Sequence, residues 1–188
     1  MVKVDAVGLT CPMPIIKTKK ALKGIESGRV EVSVDNDTSK ENLEKMASEM
    51  GLSFESIRSG DTWKVTIDKK EAVEVKVVEK SSVIVIASDR MGDGDEELGK
   101  TLLKGFIYTL TEMEILPKVI LFYNAGARVT ASGSVSIEDL KELESRGVEV
   151  LTCGACLNYY GLEVGVGSVT NMYSIIEKQM TAERIVRV

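Results

Sequence analysis

The run Val83-Ile84-Val85-Ile86-Ala87 offers no polar residue to either face of a strand. A strand with one wet face alternates apolar and polar side chains, whereas a strand covered on both faces reads as an unbroken apolar run. Val119-Ile120-Leu121-Phe122-Tyr123 repeats the pattern, and Val148-Glu149-Val150-Leu151 follows as a third strand. Helical patterns over 96–111, 137–145 and 171–179 separate or follow these runs, and 184–188 reads as a closing strand. Strands alternating with helices predict a doubly wound parallel α/β domain over 81–188.

The first third is patterned differently. Residues 2–7 read as a short strand, and Cys11-Pro12-Met13-Pro14 opens a helix running to about Lys23, since proline is favoured in a helix's first turn. Arg29 to Val34 alternates with period two. Asp37-Thr38-Ser39 supplies N-cap candidates for a helix from Asn42 to Met50 that turns Leu43, Met46, Ala47 and Met50 inward. Strands over 53–58 and 62–68 flank the turn Ser59-Gly60-Asp61. The order βαβαββ predicts a small two-layer α/β sandwich over 1–68. Residues 69–80 are charged and lack Pro and Gly, so they read as a linker or an added edge strand.

The chain has no histidine. That excludes a Cys-His dyad, a Ser-His-Asp triad and any His-ligated metal site within it. Net charge is −5, and residues 1–77 balance 13 Lys/Arg against 13 Asp/Glu, so the second part carries the excess acid. Nucleic acid is therefore not an expected partner. No stretch approaches the ~20 apolar residues of a membrane span. The first residues show no basic leader before an apolar segment, so the expected address is the cytoplasm.

Three cysteines remain as the candidate chemistry: Cys11, Cys153 and Cys156. An odd, sparse set is a poor disulfide framework and reads as reactive thiols. Cys11 falls where a strand gives way to a helix. There the helix dipole and unpaired amides favour thiolate, and Lys17, Lys19, Lys20 and Lys23 add positive potential. Cys153-Gly154-Ala155-Cys156 follows a buried strand at the sheet edge where sites of open α/β folds lie. The spacing permits a redox pair, with Cys153 expected as the lower-pKa member. A zinc half-site would need two further ligands.

Other features take plain readings. The acids of Gly92-Asp93-Gly94-Asp95-Glu96-Glu97 suit a helix N-terminus better than a calcium loop. Gly165 and Gly167-Ser168 read as a turn and cap. Met46, Met50, Met113, Met172 and Met180 are expected mostly as core filler.

Asp5-Ala6-Val7-Gly8-Leu9-Thr10-Cys11-Pro12-Met13-Pro14-Ile15-Ile16 closely resembles the Cys-Pro-x-Pro signature of TusA/SirA-like sulfur carriers. The resemblance runs from residue 1 to about 68 and includes Gly60-Asp61-Thr62-Trp63-Lys64-Val65. In that family the cysteine accepts a persulfide sulfur and passes it on. Asp35-Asn36-Asp37 departs from the Asp-Pro of many members, a change expected to touch the second helix's cap and not the sulfur site. Cys153 to Leu162 and Val166 to Tyr173 resemble DsrE-like proteins. The two domains in one chain are similar to the YedF-type proteins, linked to selenium metabolism.

The resemblance implies a sulfurtransferase-like carrier. Cys11 would hold a persulfide or selenosulfide, and Cys153 or Cys156 would receive or release the cargo. It would need no cofactor or metal, and it would be loaded by a cysteine desulfurase or similar donor and unloaded to an acceptor protein. The resemblance also implies a homo-oligomer through the second domain. Two other classes fit the residues: a thiol–disulfide redox protein using Cys153 and Cys156, and a non-catalytic adaptor or regulatory protein.

Overall fold

The computed structural model describes residues 1–10, 12–70 and 81–188. Cys11 and residues 71–80 of the anticipated linker or edge strand lie outside the described residues. The chain divides into two compact units, Met1–Lys76 and Val77–Val188, each a mixed α/β fold.

The first unit runs β1 (Val2–Asp5), α1 (Met13–Lys23), β2 (Gly28–Val34), α2 (Asp37–Glu49), β3 (Ser53–Ser59) and β4 (Thr62–Lys69). Its sheet is ordered β1-β2-β4-β3, with β1 parallel to β2 and the other pairs antiparallel. The register sets Val30 opposite Ile67, Val32 opposite Val65 and Val34 opposite Trp63, which collects the alternating apolar residues on one face. That face packs on Leu22 of α1 and on Leu43, Met46 and Ala47 of α2.

Helix α2 begins five residues earlier than its apolar spacing suggests. Asn36, one residue before the expected cap candidates, takes the N-cap position, and its side chain accepts a hydrogen bond from the Ser39 amide at 2.8 Å. Lys69, read as the start of the linker, ends β4.

The second unit runs β5 (Ser82–Ile86), α3 (Glu96–Thr111), β6 (Val119–Phe122), a 3-10 turn (Asn124–Val129), α4 (Ile137–Ser145), β7 (Glu149–Cys153), α5 (Gly154–Tyr160), β8 (Ser168–Thr170), α6 (Met172–Met180) and β9 (Arg184–Arg187). All five described strands are parallel, in the order β8-β7-β6-β5-β9. One face of the sheet, with Ile84, Ile86, Ile120, Phe122 and Val150, packs on Leu103, Ile107 and Leu110 of α3 and on Leu140 and Leu143 of α4. The other face, with Val83, Val85, Val119, Leu121, Leu151 and Cys153, packs on Ile175 of α6. Two-sided cover is what the unbroken apolar runs require. The Asp95 carboxylate caps α3 by accepting from the Leu98 amide at 2.8 Å, as its acids suggest. The 3-10 turn and β8 are additions that the apolar periodicity does not announce.

The methionines correct an expectation. Met46 is buried, but Met50, Met113, Met172 and Met180 are exposed. Met50 sits past the last turn of α2, and Met172 and Met180 are the first and last residues of α6, whose buried residue is Ile175. Among the described residues no helix is long and apolar enough to cross a membrane.

Candidate functional site

In the first unit, the parallel pairing of β1 with β2 brings Asp5 beside Ser33, so the segments that leave the two strands start side by side. The Asp5 carboxylate accepts from the Val7 amide at 3.1 Å, and Lys17 Nζ donates to the Asp5 carbonyl at 3.3 Å. Gly8 adopts φ +74°, a left-handed conformation open to glycine. Its amide donates to Asp35 Oδ2 at 2.8 Å. That bond, with help from the Asn36 side chain, holds the Asp35 carboxyl below its ordinary pKa.

Asp35 thus reaches across to the segment that leads to position 11, while the departure at 35–37 falls, as expected, on the cap of α2. The cap is Asn36, and Asp35 reaches across to the β1 side. The parallel pairing of β1 and β2 is the signal that could place it there.

Beyond position 11, α1 starts at Met13 with Pro12 as N-cap and Pro14 in its first turn. Among the described residues no side chain caps it, and its first turn holds no acid, while Lys20 and Lys23 lie in its last turn. Positive potential at this helix start is therefore not offset by a neighbouring carboxylate on α1.

In the second unit, Cys153 is the last residue of β7 and the N-cap of α5, and Cys156 lies in the first turn of α5. Both are free thiols in one place. Their surroundings differ. Cys153 is 2 % exposed and packs among Val83, Val85, Leu121 and Ile175, whereas Cys156 is half-buried at the rim. The residue favoured by its place beside the helix start is thus the enclosed one, and Cys156 is the reachable thiol.

The end of β6 completes the site. Asn124, φ +51°, is the one non-glycine residue of positive φ among the described residues. Its amide donates to Cys156 Sγ at 3.0 Å, and its side-chain carbonyl accepts from the Tyr160 hydroxyl at 2.9 Å. The Arg128 guanidinium lies 4.6 Å over the Tyr160 ring, and its Nε is 4.0 Å from Asp89 Oδ2, just past β5. Arg187 donates to the Tyr123 hydroxyl at 2.6 Å. Gly126 lets this turn press on the sheet: a Cβ there would lie 2.1 Å from the Ile86 carbonyl oxygen.

Burial pushes the Cys156 thiol up, the Asn124 amide pulls against that rise, and the neighbouring Cys153 thiol adds to it. Asn124, Arg128 and Tyr160 carry no motif that singles them out in the sequence. The signal for them is position: Asn124 follows directly on a buried strand, at the carboxyl edge where such sheets carry their sites.

The structure thus brings Cys153 and Cys156 together, while Cys11 lies outside the described residues. A family model described as sulfurtransferase TusA matches residues 2–69. The protein named "Putative sulfur carrier protein YrkI" of Bacillus subtilis (strain 168) is 40 % identical over 68 residues, 35 % of this chain and 91 % of YrkI. The crystal structure of a SirA-like protein from Desulfitobacterium hafniense is 43 % identical, with a TM-score of 0.36, and covers 38 % of this chain and 100 % of that one. The structure of a protein of unknown function, MTH1491 from Methanobacterium thermoautotrophicum, is 20 % identical with a TM-score of 0.43 and covers 57 % of this chain and 97 % of that one. Through residues 2–69 the chain belongs to the sulfurtransferase TusA family.

Proposed function

We propose that the chain is a sulfur- or selenium-relay protein in which Cys11 carries the cargo and the pair Cys153 and Cys156 receives or releases it. The observation that carries this reading is the family membership of residues 2–69, with Cys11-Pro12-Met13-Pro14 at the start of α1. A cysteine desulfurase or similar persulfide donor loads Cys11 as Cys11–S–SH, or as the selenosulfide. A receiving thiolate then attacks the outer chalcogen, forms the new bond to it and expels the Cys11 thiolate. Among the described residues no side chain caps the start of α1 and its first turn holds no acid, which favours that leaving group because a helix end stabilises negative charge.

The second unit reads as a DsrE-like domain, and the pairing of the two as YedF-type. On this reading the protein works in the cytoplasm between donor and acceptor proteins, and the second unit self-associates. A second reading is favoured by one observation, the adjacency of two free thiols at Cys153 and Cys156: a thiol–disulfide redox protein.

Intact mass after incubation with a cysteine desulfurase and cysteine separates the two. The relay reading expects a gain of one sulfur atom on Cys11, lost in Cys11→Ser. The redox reading expects a loss of two hydrogens confined to Cys153 and Cys156. Absence of any sulfur gain on Cys11 with an active desulfurase counts against the relay.

A further inference from the structure

The two thiols of the second unit differ in a way that assigns them different parts. Cys156 stands at the rim, half-buried, with its sulfur 3.0 Å from the Asn124 amide. Cys153 is 2 % exposed and walled in by Val83, Val85, Leu121, Leu151 and Ile175. An incoming persulfide reaches the first and not the second. The enclosed thiol needs no solvent access to attack its own neighbour. N-cap and first-turn positions three residues apart are separated by roughly 5 Å between Cα atoms, from helix rise and radius. That lies inside the ~4.4–6.8 Å window of a disulfide.

We propose that the second unit discharges its cargo by internal resolution: Cys156 takes up the sulfane sulfur, and Cys153 displaces it as hydrosulfide, leaving a Cys153–Cys156 disulfide. This inference rests on the relay reading for the source of the cargo, but its chemistry needs only a persulfide.

The step balances. With Cys156 as the persulfide anion Cys156–S–S⁻, the Cys153 thiol passes its proton to the outer sulfur and attacks the Cys156 sulfur. The Cys153–Cys156 S–S bond forms, the bond from Cys156 to the outer sulfur breaks, and HS⁻ leaves with the bonding pair. The sulfane sulfur is reduced and the two cysteines are oxidised, so no other oxidant takes part. A dithiol reductant returns the pair to thiols for the next cycle. Selenium cargo follows the same path and leaves as hydroselenide.

The Asn124 amide has a part in this order of events. It donates to the Cys156 sulfur from a left-handed backbone that the Tyr160 hydroxyl holds through the Asn124 side chain. A fixed donor favours the anionic form of Cys156 at the moment of attack. Asn124 is a positioning residue for the receiving thiol. Cys153 is the resolving one.

The test uses the full chain carrying Cys11→Ser, with glutathione persulfide as the probe and no added reductant. Loading is thereby independent of transfer from Cys11, so failure of the relay and failure of resolution are read separately. The expected result is one equivalent of hydrosulfide per chain, with a Cys153–Cys156 disulfide in the peptide map. With Cys153→Ala added, Cys156 retains one extra sulfur atom and hydrosulfide release slows by at least about tenfold. Cys153→Ser is run beside it, and melting curves confirm that whichever variant is read is folded. With Asn124→Gly added to Cys11→Ser, Cys156 keeps its amide donor and the pH profile of loading stays in place. A persulfide that persists on Cys156 with Cys153 present, release as fast without Cys153, first uptake at Cys153, or no uptake by either thiol overturns the proposal.

Discussion

The segments flanking Cys11 and the pair Cys153 and Cys156 are controlled by different forces. Around position 11 the chain is open: Thr10 is exposed, Leu9 and Pro12 are half-buried, and order comes from charged groups at the surface, Asp5, Lys17 and Asp35. At the other station the thiols sit against a parallel sheet, and order comes from close packing and one backbone amide. Salt and pH act on the first kind of site through exposed ion and hydrogen-bond partners. The second responds to volume and backbone conformation. A thiol that exchanges cargo with other proteins gains from the first design, and a thiol that acts on its own neighbour gains from the second.

The largest expected effect tests whether packing governs the second station. Gly126→Ala sets a Cβ against the Ile86 carbonyl and should destabilise the second unit by about 3 kcal/mol. Trp63, the single tryptophan, reports on the first unit, so its fluorescence transition in urea should stay in place while far-UV CD shifts. A shift of both by the same amount would break the comparison. Next in size, Asn124→Val forces a β-branched residue into a left-handed backbone at a cost of roughly 1–2 kcal/mol, and Asn124→Gly should be milder. Equal loss in the two, measured by thermal melting, would remove backbone conformation from the account.

The thiol of Cys156 gives a sharper contrast. Burial favours its protonated form, so in Cys11→Ser its alkylation rate should still be climbing with pH beyond the ~8.5 of a free thiol. A rate that levels off below that value would contradict the burial argument.

In the first unit, Asp35→Ala removes the acceptor for the Gly8 amide and should slow desulfurase loading of Cys11 several-fold without unfolding the unit. Because the folded carboxyl is held low, its contribution is present above the ordinary carboxylate range and is lost as pH falls through the folded value. Loading assayed at neutral pH should therefore show the full effect of the substitution, and an unchanged rate would sink it. The smallest effect is expected from reversing Lys19 and Lys23 on α1: loading slows about twofold at low salt and recovers at high salt. Insensitivity to salt in the parent protein would leave these lysines as solvated surface.

Much of this architecture is legible in the residues alone. The helices at 96–111 and 137–145 and the buried runs of β5 and β6 fall where periodicity places them, because a 16-residue amphipathic helix or a fully apolar strand repeats its signal many times. The placing of Cys153 and Cys156 at a strand-to-helix junction is legible for the same reason. What escapes depends on backbone groups or on very short elements. The Asn124 amide that meets Cys156 has no letter of its own, and any residue but proline carries the same donor. The bond from the Gly8 amide to Asp35 does not show in the residues, because its partners lie 27 positions apart. Strand β8 has three residues, too few for a period to show against the two glycines before it.

One consequence follows from the pairing of β9 with β5. The strand at 184–187 closes the edge of the strand at 82–86, so neighbours in the sheet are separated by about a hundred residues of chain. During synthesis the first unit has every described strand of its sheet by Lys69, whereas Ile84 and Val85 wait for Val186 and Arg187 with one edge unpaired. Distant pairings of this kind form late and leave an apolar edge open to other chains in the interval. A nascent chain stalled before Arg184 should therefore present a ready-made first unit beside an aggregation-prone second one, and the ribosome's pace over the final segment becomes a determinant of yield.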